Sequence, residues 1–210
     1  HYPENRLQQK FPDITENDLV LFGSFFAVNP DVRQRVIKFV RAAKDAGAMI
    51  IYDPNIRHPK DHDLKTLTKS IEENFALADL VRASHEDFKV LFDVDEPEVA
   101  GEIIAKLSDA HLLFTHSSSY VLHTYATQAT YYNVPQINVI STIGAGDNFN
   151  AGLVYGLVKR GIKKSDLNNI DEIIWNSLIN YGIQFSQEVC KSYENYISPG
   201  FAKALINDSK

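Results

Sequence analysis

The sequence Ser141-Thr142-Ile143-Gly144-Ala145-Gly146-Asp147-Asn148-Phe149 joins a short strand-like run to a long helical pattern. Residues 135–140 are rich in β-branched side chains, which is typical of a strand, whereas residues 145–159 repeat apolar side chains at helical spacing. The glycines therefore lie at a predicted strand-to-helix turn. A turn of this kind is characteristic of chains that alternate strands and helices around a parallel sheet.

The composition of this turn indicates an anion-binding site with an acid beside it. The first N–H groups of a helix have no intrahelical partner, they lie at the positive end of the helix dipole, and glycine lets a phosphate approach closely. Asp147 would face the same anion and repel it, so its carboxylate is expected to have a chemical role, such as accepting a proton. Phosphoryl transfer to a hydroxyl requires a base in this position. The alternative is a helix start with an N-cap-like Asp147 and incidental glycines.

The longer pattern resembles the C-terminal signature of the ribokinase-like sugar kinases, the PfkB family of carbohydrate kinases. It consists of Thr-x-Gly-Ala-Gly-Asp at residues 142–147, an aromatic residue, and then Ala151-Gly152. In that family the final Asp is the base toward the sugar hydroxyl, and the backbone amides before it stabilise the transferring phosphoryl group. The resemblance implies these roles for Asp147 and for Gly144, Ala145 and Gly146. The family usually has Asp where this chain has Ser141.

Apolar runs alternate with amphipathic segments along the whole chain, which predicts an α/β fold with a mostly parallel sheet. No repeat or linker interrupts this rhythm, so residues 1–210 are predicted to form one domain. The resemblance implies a ribokinase-like three-layer α/β/α architecture that lacks its N-terminal portion and lid. Residues 120–132 predict a pair of short antiparallel strands at one edge. Other predicted strands span 19–23, 48–52, 79–82 and 111–115, and predicted helices span 31–46, 64–75, 85–92, 96–107, 145–160, 170–188 and 199–207.

Polar residues follow the second predicted strand directly, at Asp53-Pro54-Asn55-Ile56-Arg57. Pro54 restricts the exit from the strand, and the polar side chains would lie in a turn above the sheet. One interpretation is a strand-ending turn with solvated groups. The segment also resembles the Asp-Pro-Asn-x-Arg segment of the same kinases, which implies that Asp53, Asn55 and Arg57 bind the sugar or the transferred phosphate. A guanidinium fork suits such an anion.

The third predicted strand ends at a segment that opens a helix, Ser84-His85-Glu86-Asp87. Ser84 and Asp87 have the spacing of a capping box, which is the structural interpretation. The family has Asn or Ser, two residues and then Glu at this place, and the Glu organises Mg²⁺ through water near the nucleotide phosphates. The resemblance implies that Asp87 helps to place Mg²⁺ and that Ser84 lies on the nucleotide side, with Glu86 as a second carboxylate.

The nucleotide side departs from the family pattern. After its next strand the family carries Thr-x-Gly-x-x-Gly, and this chain has Thr115, His116, Ser117, Ser118, Ser119 and Tyr120. Thr115 is retained and both glycines are replaced. The resemblance implies that ATP is bound near Thr115, Ser117 and Thr142, and that Asn180 lines the adenine pocket. The alternatives are a rearranged nucleotide loop and a weakened nucleotide site.

Composition limits the function without identifying it. The chain has 210 residues, of which 44% are hydrophobic, enough for a well-filled core. A formal net charge of -6 argues against a nucleic-acid partner, and no apolar stretch approaches the roughly 20 residues of a membrane span. A single cysteine, Cys190, excludes an internal disulfide, which agrees with a cytoplasmic location.

The resemblance corresponds to roughly the last two-thirds of a family domain. The family's N-terminal part supplies the first βαβ units, a Gly-Gly sugar-binding segment and a small β-sheet lid that also serves dimerisation. We expect these parts to be missing, a homodimer to form through the missing lid, and this chain alone to be inactive as a kinase. The start at His1 and the only methionine, Met49, agree with an incomplete chain.

Three functions remain open at this point. The first is ATP-dependent phosphorylation of a sugar hydroxyl by the complete protein, with a fructose-like ketose favoured and with Mg²⁺ as the companion of ATP. The second is a degenerate sugar- or nucleotide-binding regulator without turnover, which the altered residues Ser117, Tyr120 and Ser141 favour. The third is a nucleoside kinase, which would use the same chemistry.

Overall fold

The computed structural model describes residues 10–56 and 64–207, with side chains omitted for residues 64–66. These residues form two compact units, one ending at Tyr131 and the other beginning at Tyr132. The first unit is built on a sheet, and the second contains helices. The predicted single domain stays a prediction.

The sheet contains six strands whose spatial order follows the sequence. Strands β1 to β4 are mutually parallel, β5 runs antiparallel to β4, and β6 extends the sheet beyond β5. The α/β class, the mostly parallel sheet and the antiparallel strand near one edge are therefore confirmed. The strands span Leu19–Gly23 (β1), Met49–Asp53 (β2), Leu80–Ser84 (β3), His111–His116 (β4), Tyr120–Tyr125 (β5) and Gln128–Asn133 (β6).

Five helices lie within the described residues of the first unit, and each follows or precedes a strand as expected for a parallel sheet. Four of them match predicted helices within a few residues, whereas the five-residue helix α1 was not predicted. It follows β1 directly and lacks the length at which hydrophobic periodicity is readable. The helices span Ser24–Val28 (α1), Pro30–Asp45 (α2), Leu64–Leu77 (α3), His85–Phe92 (α4) and Pro97–Leu107 (α5).

One face of the sheet carries a continuous apolar core. Tyr52, Val81 and Phe114 lie on this face and pack in one cluster with Phe75 of α3 and Ile104 of α5. Side chains alternate between the two faces of a strand, so the neighbouring residues belong to the opposite face. That opposite face is also buried, as shown by residues such as Ile51, Leu80 and Leu113. Burial of both faces explains why the strands read as nearly continuous apolar runs.

The second unit contains three α-helices, Ala145–Lys159 (α6), Glu172–Cys190 (α7) and Pro199–Asn207 (α8), together with a 3-10 helix at Lys164–Asn169. Helices α6 and α7 approach each other closely at glycine positions. A Cβ added to Gly152 would lie 2.3 Å from the carbonyl oxygen of Tyr181, and one added to Gly182 would lie 2.9 Å from the ring of Phe149. Gly152 is therefore required by helix packing.

The predicted strand at residues 135–140 is wrong. The structure shows irregular backbone there, and Val139 and Ile140 are both about half exposed. The N–H of Ile140 donates to the carbonyl oxygen of Cys190 at 2.8 Å, and Gln187 donates to the carbonyl oxygen of Pro135. Strand-like composition does not make a strand where the backbone pairs with the end of a helix instead of another strand.

Candidate functional site

Helix α6 begins at a turn that only glycine suits. Gly144 precedes the helix with a φ of 79° and a ψ of 0°, in the left-handed region where a Cβ causes strain. A Cβ at this position would also lie 3.1 Å from the Cβ of Asn195. The side-chain oxygen of Ser141 accepts a hydrogen bond from the N–H of Ile143 at 3.2 Å. Ser141, which stands where the resemblance implies Asp, thus stabilises the turn.

The first turn of α6 presents open hydrogen-bond donors. The N–H of Ala145 is used within the turn, because it donates to the carbonyl oxygen of Thr142 at 3.2 Å. The N–H groups of Gly146 and Asp147 have no acceptor among the residues that the structure describes. They lie at the positive end of a 15-residue helix, which favours an anion. The predicted anion-binding function of the turn therefore rests on two of its amides.

Asp147 lies in the same turn and is exposed to solvent. Its carboxylate has no hydrogen-bond or ion-pair partner in the described part of the chain, so both oxygens are available. The N-cap alternative is not what the structure shows: Gly144 holds the N-cap position, and no side chain caps the helix. An accessible carboxylate next to open amide donors could accept a proton from a group that attacks a bound phosphate.

A second set of polar residues lies in the first unit, at the carboxyl end of its parallel strands. Arg82 of β3 is buried and contacts residues of both neighbouring strands. Its Nη1 lies 3.6 Å from Oδ2 of Asp53, and its Nη2 donates to Oγ1 of Thr115 at 2.8 Å. Asp53 and Thr115 are among the site residues predicted from the sequence, whereas Arg82 is not. A charged residue within the otherwise apolar run Leu80-Val81-Arg82-Ala83 was the available signal.

The capping box at the start of α4 is confirmed. Oδ2 of Asp87 accepts hydrogen bonds from the backbone N–H of Ser84 at 2.8 Å and from its hydroxyl at 2.7 Å, and Oγ of Ser84 accepts from the N–H of Asp87 at 3.1 Å. Oδ1 of Asp87 accepts from the N–H of Ile56 at 3.2 Å. The buried Asp87 carboxylate therefore joins the start of α4 to the segment that leaves β2.

That segment contains two of the residues predicted to bind sugar or phosphate. Asp53 ends β2 and is buried beside Arg82, while Asn55 has a left-handed φ of 38°. Arg57 lies outside the described residues. The close approach of β1 and β2 at this edge requires Gly23, because an added Cβ would lie 1.8 Å from the carbonyl oxygen of Asp53.

The predicted nucleotide loop forms the turn between β4 and β5. Ser117 has a φ of 47°, a conformation that glycine adopts at low cost, and the N–H of Ser119 donates to the carbonyl oxygen of His116 at 3.0 Å. Ser117 thus adopts a backbone conformation that the glycine of the family pattern would adopt more readily. The ring of Tyr120 stacks on His116 with a centroid distance of 5.0 Å. Tyr120 has no left-handed φ, so its side chain causes no backbone strain.

The remaining candidates stay predictions. Asn180 on α7 is half-buried, and its Nδ2 donates to Oδ1 of Asn176 one turn earlier at 3.1 Å. The structure thus brings Asp53, Ser84, Asp87 and Thr115 to one edge of the sheet in the first unit. In the second unit Thr142 lies in the same turn as Gly144, Ala145, Gly146 and Asp147.

Two features are absent from the described residues, a metal-binding cluster and a membrane-spanning helix. No group of three or more histidine, cysteine or acidic residues is arranged to hold a metal ion there. Likewise, none of the helices in the described ranges is both long and apolar enough to cross a membrane.

Comparison with known proteins gives a consistent result. The family model of the pfkB family carbohydrate kinases matches residues 2–168. The chain is 30% identical over 132 residues to a fructokinase of Klebsiella pneumoniae, covering 62% of this chain and 43% of that protein. It is also 30% identical over 139 residues to the probable fructokinase-7 of Arabidopsis thaliana, covering 65% and 40%. The chain therefore spans less than half the length of these curated relatives.

Solved structures show the same fold. A crystal structure of aminoimidazole riboside kinase from Salmonella enterica, complexed with aminoimidazole riboside and an ATP analogue, superposes with a TM-score of 0.79 at 18% identity, covering 93% of this chain and 65% of that one. Fructokinase from Vibrio cholerae O395, with fructose, ADP and calcium bound, gives 0.77 at 18% identity, with coverages of 88% and 58%. At such identities the similarity concerns the fold.

Proposed function

The chain belongs to the pfkB family of carbohydrate kinases, and on this premise we propose that the complete protein transfers the γ-phosphoryl group of ATP to a sugar hydroxyl. A fructose-like ketose is the preferred acceptor in this proposal. The fructokinases among the relatives support it, as does the neighbour that binds fructose and ADP. The observation that carries the proposal is the exposed Asp147 carboxylate in a helix turn with open amide donors.

The proposed reaction assigns one role to each part of this turn. The N–H groups of Gly146 and Asp147, with the backbone of Gly144 and Ala145 shaping the turn, stabilise the negative charge on the transferring phosphoryl group. The acceptor oxygen forms a bond to the γ-phosphorus while the bond from that phosphorus to the β,γ-bridging oxygen breaks, and ADP leaves. The hydroxyl proton passes to Asp147 as general base.

The polar edge of the sheet would bind the substrates. In the first unit we assign Asp53, Asn55 and Arg57 to the sugar or phosphate, and Ser84, Thr115 and Ser117 to the nucleotide. In the second unit we assign Thr142 and Asn180 to the nucleotide. For Asp53, Ser84 and Thr115 the support is their position at the carboxyl ends of parallel strands, where α/β proteins bind ligands. In the second unit it is the open turn beside Thr142.

Mg²⁺ is the proposed companion of ATP, because it neutralises charge on the nucleotide phosphates. We assign Asp87 to placing Mg²⁺ through water rather than by direct ligation, since its carboxylate is buried and accepts three hydrogen bonds. Glu86 is exposed in the first turn of α4, and its carboxylate is the second group that could bind a Mg²⁺ ion that keeps several of its waters.

The proposed active site would be completed by parts of the kinase domain that this chain does not span. We propose that residues 1–210 are the C-terminal part of a kinase domain whose N-terminal part supplies most of the sugar-binding surface and a lid used for dimerisation. The extent of the relatives supports this, because the chain covers 43% of the Klebsiella pneumoniae fructokinase. A cytoplasmic location and small-molecule partners, sugar and ATP, complete the proposal.

Replacement of Asp147 by Asn in the complete protein tests the proposal. We expect kcat to fall by roughly two to four orders of magnitude, the range usual for loss of a general base, with little change in the KM for ATP. Asp45→Asn is a suitable control because Asp45 is an exposed acid at the end of α2. Near-full turnover of the Asp147 variant would refute the assignment.

A second candidate is a binding protein without turnover. It is favoured by the engagement of two predicted site groups in internal contacts, the Thr115 hydroxyl with Arg82 and the Asp87 carboxylate with Ser84. Calorimetry with Mg-ATP and a panel of sugars and nucleosides separates the two functions. Heat of binding without any phosphorylated product would favour the regulator, and phosphorylation of a nucleoside alone would assign the chemistry to a nucleoside kinase.

A further inference from the structure

A single side chain connects the anion-binding turn with a distant segment of the second unit. Nδ2 of Asn148 donates to the carbonyl oxygen of Gly144 at 2.9 Å and to the carbonyl oxygen of Asn195 at 3.0 Å. Both hydrogens of the amide are therefore directed at backbone oxygens that lie 51 positions apart in sequence. The backbone N–H of Asn148 also donates to Gly144, at 2.9 Å.

The partner segment, residues 192–197, connects α7 to α8. Both of its ends are tied to α7, because Ser192 donates through its N–H to the carbonyl oxygen of Val189, and the neighbouring Ser198 donates through its hydroxyl to Glu188 at 2.6 Å. Its middle is highly exposed: 86% of Tyr193 and 59% of Tyr196 are accessible to solvent. Little apolar burial holds this middle part in place. Its support is the local hydrogen bond from the N–H of Glu194 to Oγ of Ser192 at 3.1 Å and the contact of Asn195 with Asn148 of α6.

The contact depends on Gly144 as well as on Asn148. An added Cβ at Gly144 would lie 3.1 Å from the Cβ of Asn195 and 3.3 Å from its carbonyl oxygen. The segment therefore lies directly against the backbone of the turn. Because Gly144 has an unusual conformation and lacks a side-chain cap, the turn needs support from outside the helix.

We propose that Asn148 is a positioning residue for phosphoryl transfer, which rests on the function proposed above. Its amide fixes the Gly144 carbonyl and thereby the direction of the open N–H groups that follow it. The same amide holds residues 192–197 against the turn, so that this segment lies in a fixed position beside the transferring phosphoryl group. Alanine or aspartate at this position supplies neither of the two donors.

The first test examines how firmly residues 192–197 are held, and it does not require catalytic activity. Amide hydrogen exchange and ¹⁵N chemical shifts are recorded for Asn148→Ala, Asn148→Asp and the control Asn169→Ala, which alters an exposed asparagine at the end of the 3-10 helix. Loss of the contact should raise exchange of the Glu194 amide, which donates to Oγ of Ser192 at 3.1 Å, by roughly tenfold in both Asn148 variants, and it should shift the Gly146 and Asp147 amides. Because Asp and Asn side chains are nearly the same size, an effect that also appears in the Asp variant does not come from lost volume. Unchanged exchange in both Asn148 variants, each still folded, would overturn the proposal.

The second test separates positioning from simple structural support. In the complete protein, Asn148→Ala should lower kcat by roughly 10- to 100-fold while the KM for the sugar changes less than threefold, because misplaced catalytic groups affect mainly the chemical step. Asn169→Ala should leave both constants unchanged. Equal kcat in the Asn148 variant and the wild type would overturn the catalytic part. If the wild-type protein phosphorylates nothing, the proposed function fails, whereas the exchange result still decides whether Asn148 holds the segment.

Discussion

Replacement of Gly152 by alanine tests how closely α6 and α7 must approach. The added Cβ would lie 2.3 Å from the carbonyl oxygen of Tyr181 and 2.9 Å from the Cα of Gly182, both on the backbone of α7. Ordinary van der Waals contact begins at 3.4 Å, so the helices would have to separate by about 1 Å (3.4 Å minus 2.3 Å). A backbone carbonyl within a helix cannot rotate away as a side chain can.

Two opposing effects determine the magnitude. Alanine improves helix propensity by about 1 kcal/mol relative to glycine, whereas overpacking costs about 1–3 kcal/mol and more when the obstacle is backbone. We expect Gly152→Ala to lower the free energy of unfolding by about 2 kcal/mol. Gly156→Ala should cost less, because its added Cβ would meet the ends of the Tyr181 and Leu178 side chains at 2.9 Å and 3.0 Å.

Gly200→Ala is the matched control. Gly200 lies in the first turn of α8, and an added Cβ would meet nothing closer than Oγ of Ser198 at 3.9 Å. This variant should be neutral or stabilised by up to about 1 kcal/mol. Urea denaturation can be followed by the fluorescence of Trp175, the only tryptophan, which is buried in α7. A Gly152→Ala protein with a midpoint equal to or above that of the wild type, at unchanged slope, would refute the reasoning.

Two further perturbations concern buried polar groups. Burial, together with nearby His111, lowers the pKa of His123 to about 3, so near pH 6.5 the unfolded chain takes up a proton that the folded chain does not. The free energy of unfolding should therefore be constant above pH 7 and fall by about 1 kcal/mol per pH unit below 6.5. Urea denaturation of the wild type and of His123→Gln at pH 7.5 and pH 5 checks this, because the loss of stability between the two pH values should be smaller in the variant. Arg82→Met leaves the buried Asp53 carboxylate without its arginine and should lower the free energy of unfolding by about 3 kcal/mol, measured by urea denaturation. The double variant Arg82→Met/Asp53→Asn should recover part of this loss. Equal stability of the single and the double variant would contradict the pairing.

The elements of the first unit were predictable because their signals are local. The apolar stripe of α2, the Pro30 at its start and the Asn29 side chain that caps it all lie within a few residues of one another. The capping box of α4 is likewise a spacing of three residues, from Ser84 to Asp87. Such signals depend on backbone geometry within one helical turn, and they can be read from a single sequence.

Residues 135–140 show where local composition misleads. Their β-branched side chains are typical of a strand, but a strand exists only if another strand pairs with it. Here the backbone pairs with the end of α7, fifty residues further along the chain (Ile140 to Cys190). Composition carries no record of that partner, so the sequence could not have revealed it.

The alternation of strands and helices, the glycine turn before α6 and the acid within it can all be read from the amino-acid sequence, because they follow from periodicity, chirality and the open amides of a helix start. Which polar groups are occupied depends on contacts between distant segments. Asp87 accepts the N–H of Ile56, Arg82 reaches Thr115, and Asn148 reaches Asn195. Each contact joins residues 31 to 47 positions apart, and the register of strands and the docking of segments bring them together. The acid of the turn thus remains accessible, while the acid at the sheet edge supports the fold.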